Sequence, residues 1–561
     1  MKSWLRRWPA AARLRLLRLN GIARADAGDG LSALAHDPAW RAALEAAKGG
    51  ARVMIATNTG GHFAIETIDR LLGVALTVRG AAVTHVLCDA ALPACQMCEF
   101  NLTADVAGFA EKGPDRLLCG YCYEPAQKRL DALGLATRQL TSAQSDEDRR
   151  QAKALADTAN LDDLRSILWN DVSIGEHAMA GALRFFARSD LSSEKHGAAI
   201  LRRFIEAAAL SAASYERLID EVRPKVLVAH HGIYTPQGLA VAVARARNVR
   251  VVTWNPAYRR HCFIFSHDDS YHYTLMEESA ESWRDGPFTD ADRERTLNYL
   301  YSRRTGAGDW IKFHADPRKV DDVRDLGLDP QKPIIAAYTN VFWDAQLHFP
   351  NNAFASQKEW LERTIVWFEK RPDLQLVIRI HPAEATGAPP SRQRAAEIIA
   401  ARFPNLAANV RVVAPESSLS SYALAERADA VLIFGTKLGV ELSALSIPVI
   451  VAGEAWVRGK GFTHDVSSPA DYEAKLAQLP FGHRLDPDQE DLARRYAHHF
   501  FFRRMLEIPF VEPASGPRRF RVAIDGAAAL ARGKSAGLDV ICEGILENTP
   551  FVCDTPVTRD R

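Results

Sequence analysis

No apolar run in this 561-residue chain approaches the roughly eighteen residues that a membrane-spanning helix needs, so nothing here reads as a span. Neither sign of charge dominates. Seventy Lys and Arg against 69 Asp and Glu leave a net charge of +1, which excludes the broad basic field of a nucleic-acid-binding protein. Internal repeats and low-complexity tracts are missing as well. A secretory pattern is absent from Met1 to Gly30, because arginines interrupt each apolar run and no small-residue cleavage site follows. The expectation is a cytoplasmic protein. What remains is ordinary globular composition, 47% hydrophobic and 25% charged, in a chain too long for one core. Two domains of about two hundred residues with additions fit that length.

One further absence is local: no acid occurs before Asp26. Lys2, Arg6, Arg7, Arg13, Arg15 and Arg18 alternate there with Trp4, Leu5, Trp8, Leu14, Leu16, Leu17 and Leu19. A cationic Trp/Leu segment suits peripheral contact with an anionic lipid surface at the inner face of a membrane. It equally suits a helix packed on its own domain with solvated arginines, and Pro9 shortens the helix that the lipid reading needs.

Beyond this basic segment (1–50), short apolar runs alternate with helical periodicity. Arg52–Ala56 reads as a strand, Thr57–His62 as a glycine turn, Ala64 to about Arg79 as a helix, and Val83–Leu87 as a second strand. A cysteine-rich insertion (88–125) and a helical stretch (145–222) interrupt the pattern. Strands resume at 226–229, 249–252 and 263–265, completing a first domain over 51–280. Residues 281–330 read as helix and linker. A second domain over 331–480 has strands at 333–338, 376–380, 409–413, 430–434 and 447–451 with helices between them, which demands right-handed crossovers and a parallel sheet. Residues 481–561 read as a helical tail. The fold class is α/β, with two Rossmann-like domains facing across a cleft.

In an open α/β sheet, ligands bind beyond the carboxyl ends of the strands. Arg379-Ile380-His381-Pro382 and Gly435-Thr436-Lys437-Leu438-Gly439-Val440-Glu441 both follow such strands. Arg379 in an apolar strand needs an anion or carboxylate partner. His381 before Pro382 is held extended at a strand end. Gly435 permits a tight turn, Thr436 offers a hydroxyl at a helix start, and Glu441 offers a carboxylate for ribose hydroxyls. Ser417, Ser418, Ser420 and Ser421 open a neighbouring helix. Thr339 and Asn340, with Trp343 and Asp344 beyond, either line the same place or form a turn. Together these features suit a nucleotide phosphate better than a routine set of strand–helix turns.

In the first domain the glycines of Thr57-Asn58-Thr59-Gly60-Gly61-His62 let backbone approach a ligand. His62 there either takes a proton from an attacking hydroxyl or caps the next helix. Asp268, Asp269 and His272 form a second candidate place for a general base, and His230 with His231 a third. Cys95-Gln96-Met97-Cys98 and Cys119-Gly120-Tyr121-Cys122 have four-thiolate zinc spacing. The expectation is structural zinc, with an iron–sulfur cluster as the alternative since Cys88 offers a fifth thiol. No organic cofactor is expected.

The run Leu376–Glu384, the serines at 417–421, and Gly435-Thr436…Gly439…Glu441…Ile447-Pro448-Val449-Ile450 resemble the bacterial capsule and surface-polysaccharide biosynthesis glycosyltransferases. The resemblance spans about residues 50–480. It implies the GT-B fold, with His381, Ser417 and Ser418 on the phosphate of a CMP- or CDP-activated sugar and Glu441 on the ribose. Ser446 stands where these proteins carry glycine. The loop at Gly60, Gly61 and His62 looks like the acceptor-side loop of the lipid-linked N-acetylglucosaminyltransferases. The resemblance therefore implies transfer from a nucleotide-sugar donor to a saccharide or lipid-linked acceptor. His231, at the carboxyl end of the strand 226–229 and facing the cleft, is expected on the acceptor side with Gly60 and Gly61. No Asp-x-Asp metal motif accompanies the phosphate strands, so a metal-independent transfer is expected. The alternatives are a sugar-nucleotide 2-epimerase and a non-catalytic polysaccharide assembly or export factor.

Overall fold

The computed structural model describes residues 29–554, apart from 104, 306–308, 312–325, 346, 348, 388 and 515–518. The basic segment before residue 29, and with it the proposed lipid contact, lies outside the described residues.

The first lobe is built on strands β1 (Arg52–Asn58), β2 (Ala82–Leu87), β3 (Ala136–Gln139), β4 (Val226–His230), β5 (Arg250–Pro256) and β6 (Cys262–His267). The second is built on β7 (Ile334–Tyr338), β8 (Gln375–Arg379), β9 (Val410–Val413), β10 (Ala430–Ile433), β11 (Val449–Val451) and β12 (His464–Asp465). A last short strand, β13 (Leu506–Glu507), belongs to the first sheet. The sheet orders are β3-β2-β1-β4-β5-β6-β13 and β9-β8-β7-β10-β11-β12. Each lobe therefore starts at its centre, builds outward to one edge, then returns and builds to the other. The reversal leaves a crevice between β1 and β4 in one lobe and between β7 and β10 in the other, the places where such sheets take ligands.

The central strands are buried on both faces, which is why they read as continuous apolar runs. Helix α1 (Phe63–Val78) covers one face of the first sheet, and α3 (Gly175–Phe186) and α4 (Gly197–Val222), with α5 (Gln237–Ala246), cover the other. Between β2 and β3 lies the irregular 88–99 loop, followed by helix α2 (Arg116–Leu133).

Two features go beyond what the sequence pattern specifies. Strand β6 runs antiparallel to β5, with His267 opposite Val252 and Phe263 opposite Pro256. The tail is more than an appendage. After the helix Pro487–His498 packs under the second lobe, the chain crosses back, adds β13 antiparallel to β6, and lays the helix Ala536–Glu547 on the core of the first lobe.

Candidate functional site

In the second lobe the strand ends are stitched together by their own polar groups. Thr339, directly after β7, is buried; its hydroxyl accepts the His381 N–H at 3.1 Å and its N–H donates to the Arg379 carbonyl at 3.2 Å. Asn340 donates through its side-chain amide to the Gly435 carbonyl. His381, Thr339 and Gly435 thus meet at the β7/β10 crevice. The imidazole is held in turn: the Ala383 N–H donates to His381 Nδ1 at 3.1 Å. With Nδ1 an acceptor, the neutral ring carries its proton on Nε2 and presents a donor.

Arg379 takes a different place from the one expected. Its side chain is buried, and its two terminal nitrogens donate to the carbonyls of Ala414 and Ser417. Burial lowers its pKa. The guanidinium anchors the serine turn instead of facing the crevice as an open cation. The Ser417 hydroxyl accepts the Leu419 N–H at 3.2 Å, and both Ser417 and Ser418 are half-buried. Ser420 caps the helix Ser421–Arg427, and the Tyr338 hydroxyl donates to the Ser421 carbonyl at 2.7 Å.

Glu441 is likewise spoken for. It is fully buried in the helix Leu438–Ala444 and binds Lys437, the Tyr422 hydroxyl and Arg303 Nε, the last at 3.2 Å. Burial works to raise its pKa, but Arg303 and Lys437 overcome it and hold the carboxyl ionised. Arg303 also pairs with Asp309. Every oxygen of Glu441 is occupied, so the ribose contact expected of it is not available in this arrangement. The Thr436 hydroxyl turns onto the Leu438 N–H at 3.4 Å. Gly435 is a glycine because a Cβ there would meet the Glu454 carbonyl at 2.9 Å.

The first lobe brings four histidines to its crevice. Ring centroids lie 6.3 Å apart for His62 and His230, 5.5 Å for His230 and His231, and 6.1 Å for His231 and His272. His62 stands at the N-cap of α1 but makes no side-chain cap hydrogen bond, so the capping role does not explain it. Burial lowers the pKa of His62 and His231 to about 4 and of His272 to about 3; all three are neutral near pH 7. Sequence reasoning held these histidines as rival places. The fold makes them one cluster.

Asp268 does not join them. Because β6 runs backward, it emerges beside Val251 at the far end of the sheet, exposed. Asp269 is paired with Arg245 at 2.7 Å. Neither fits the base role assigned to it. The glycine turn also needs correction. A Cβ on Gly60 would lie 2.3 Å from that of Ala126, and one on Gly61 would lie 3.0 Å from Cys122 Cα. These glycines admit helix α2, not a ligand.

The lobes meet over the histidines. The Tyr234 hydroxyl donates to Asp344 Oδ1 at 2.6 Å and accepts the Ala345 N–H at 2.9 Å. His272 stacks on Trp456 with centroids 5.5 Å apart. Farther along the seam, Ser189 donates to Gln393 Oε1 at 2.7 Å, and the Arg392 guanidinium lies 3.5 Å from the Phe100 ring centroid. Tyr234 and Trp456 escaped sequence reasoning, although Tyr234 sits four residues past the end of β4, at the same crevice.

Cysteines 95, 98, 119 and 122 are free thiols. Cys95 and Cys98 sulfurs lie 3.8 Å apart, and Cys122 Sγ accepts the Gly61 N–H at 3.2 Å. Among the described residues no three His, Cys, Asp or Glu side chains stand close enough to hold a metal ion as they are placed. No described helix is long and apolar enough to cross a membrane.

Residues 242–480 match the family described as capsule polysaccharide biosynthesis protein. That stretch contains the motifs at 376–384, 417–421 and 435–450 on which the resemblance to capsule-synthesis proteins was drawn; the part of the resemblance before residue 242 lies outside it. No curated protein matches the chain. Among solved structures it is similar to the Thermosulfurimonas dismutans KpsC beta Kdo 2,4 transferase, at 13% identity and TM-score 0.33, over 48% of this chain and 78% of that one. It is also similar to the beta Kdo 2,7 transferase of the same protein, at 16% identity and TM-score 0.31, over 50% and 79%. The UDP-GlcNAc 2-epimerase from Neisseria meningitidis, bound to UDP-GlcNAc, aligns at 11% identity and TM-score 0.24 over 79% and 94%. At such scores these likenesses carry no argument about chemistry.

Proposed function

We propose that this chain transfers a glycosyl group from a nucleotide-activated donor, of CMP or CDP type, to a saccharide or lipid-linked acceptor in cell-surface polysaccharide synthesis. The observation that carries the reading is the placement of His381: its backbone is clamped by Thr339, its Nδ1 accepts the Ala383 N–H, and Asn340 ties the same strand end to Gly435, so that the imidazole is fixed at the β7/β10 crevice. Fixed donors aimed at a departing phosphate stabilise the leaving group without reorganisation. Ser417 and Ser418, on a turn anchored by Arg379, add hydroxyls beside it.

In the transfer, an acceptor hydroxyl oxygen forms a bond to the anomeric carbon. The bond from that carbon to the phosphate oxygen breaks, and the nucleotide leaves with the electron pair. The hydroxyl proton passes to a neutral imidazole of the His62, His230, His231 and His272 cluster. Closure of the lobes through Tyr234–Asp344 and His272–Trp456 keeps water from the donor. The absence of an Asp-x-Asp pair near the phosphate strands favours transfer without a catalytic metal.

The protein is to be incubated with CMP-, CDP-, UDP- and GDP-sugars. Donor hydrolysis or transfer is expected. Inversion at C2 would instead establish an epimerase, and no turnover by folded protein would establish a non-catalytic factor. His381→Ala should lower kcat by about 10²-fold or more while the melting temperature stays put. Unchanged kcat would remove His381 from the phosphate.

A further inference from the structure

Glu454 comes three residues after β11, and its carbonyl lies 2.9 Å from where a Gly435 Cβ would stand, so it borders the strand end of β10. Its N–H donates to Asn352 Oδ1 at 2.7 Å, and the Asn352 N–H donates to the Phe349 carbonyl at 3.2 Å. The Ala353 N–H donates to the Ala452 carbonyl at 2.8 Å. Phe349 and Glu454 therefore share one hydrogen-bonded scaffold. The helix Tyr271–Glu277, which follows β6, packs against that scaffold from the other lobe. His272 stacks on Trp456, two residues past Glu454, and Tyr273 lies against Phe349 with ring centroids 5.2 Å apart. Glu454 is thus flanked by two aromatic contacts that join the lobes.

Tyr273 and Phe349 are half-buried and pack into neither lobe's core, which leaves an apolar platform at the seam. Glu454 is half-buried too, and among the described residues its carboxylate makes no hydrogen bond or ion pair. Glu441, by contrast, has all its partners. A carboxylate drawn partly out of water without a cation is an acceptor for hydroxyl donors.

We propose that Tyr273, Phe349 and Glu454 form the subsite for the sugar being transferred, and that this sugar is uncharged. The two rings take the C–H face of the sugar. The Glu454 carboxylate accepts hydrogen bonds from two neighbouring hydroxyls, each assisted by its charge. An acidic sugar would set its own carboxylate against Glu454. His272, next to Tyr273 in the chain, belongs to the row of imidazoles assigned the acceptor's proton, so the subsite adjoins the reacting atoms. The inference rests on the sugar-transfer reading and names the class of sugar it moves.

The full chain is to be titrated by calorimetry with CDP-glucose, UDP-glucose, UDP-N-acetylglucosamine, GDP-mannose and CMP-N-acetylneuraminate, each beside its bare nucleotide. A neutral sugar should tighten binding over the bare nucleotide by about tenfold or more. Glu454→Ala and Phe349→Leu should each lose most of that gain and bind the bare nucleotide as before. Should Glu454→Ala not fold, Glu454→Gln, which keeps the shape and drops the charge, should lose the gain. A gain that survives in the variants overturns the subsite, as does a gain confined to N-acetylneuraminate or no gain for any sugar in the unaltered protein. An equal loss for the sugar nucleotide and the bare nucleotide assigns Glu454 to the ribose and overturns it as well. If no nucleotide binds at all, the sugar-transfer reading falls and the subsite with it; in every other failure that reading stands.

Discussion

His381 and Glu441 show how differently two polar residues at strand ends are used. Both follow apolar strands, and both were candidates for the donor. His381 is fixed at the crevice by the Ala383 N–H on its Nδ1 and by Thr339 on its backbone. Glu441 keeps nothing, because Lys437, Tyr422 and Arg303 take both oxygens. Breaking a buried ion pair from one side costs about 3–5 kcal/mol, since the partner stays buried without its counter-charge. Glu441→Gln should therefore lower the melting temperature markedly. A ribose contact predicts the opposite split, a raised KM for donor with unchanged melting, so the two measurements decide between the roles. Ser446 makes a smaller point at the same scale. Its φ of 65° is left-handed, which explains why glycine stands there in the proteins it resembles. An L-residue in that region costs about 1–2 kcal/mol, so Ser446→Gly should raise the melting temperature in a thermal scan.

Elements decided what composition left open. The strands at 52–56, 226–229, 376–380 and 430–434 were legible because strands covered on both faces must be apolar throughout. The direction of β6 was not, since a strand's apolar pattern is the same whichever way it runs. That reversal alone removes Asp268 from the crevice. The glycine turn misled for a related reason: glycine marks any close approach of backbone, and here the approaching body is α2. Gly60→Ala would place a Cβ 2.3 Å from that of Ala126. Overpacking of this kind costs about 1–3 kcal/mol, so the variant should melt earlier and its helix α2 should exchange amide protons faster. A variant with unchanged stability would return the turn to the acceptor.

For the whole molecule, the decisive feature is that two crevices from sheets of the same order close on each other around neutral imidazoles. The histidine pKa values of about 4, 4 and 3 lie below the 6.5 of a free imidazole. An unfolded chain therefore binds protons between pH 6.5 and 4 that the folded chain refuses, and stability, fully present above that window, is lost as pH falls through it. Melting temperature should drop on acidification from pH 6.5 toward 4, and the double variant His231→Gln, His272→Gln should flatten the drop. An equal drop in the variant would show that other groups carry the acid sensitivity. The returning tail belongs to this scale too: β13 and the helix Ala536–Glu547 bind the end of the chain into the first lobe.

Taken alone, the order of residues determined the two α/β lobes, the strand ends that bear His381 and Thr436, and the cysteine spacing, because hydrophobic periodicity, turn chemistry and ligand spacing are local. Only the tertiary structure decided that Arg379 serves a turn, that Glu441 is a buried counter-ion, and that His62, His230, His231 and His272 stand in one row of neighbouring rings. Each of those outcomes depends on which distant group supplies the partner, and a partner tens to more than a hundred residues away along the chain leaves no mark on the residue it meets.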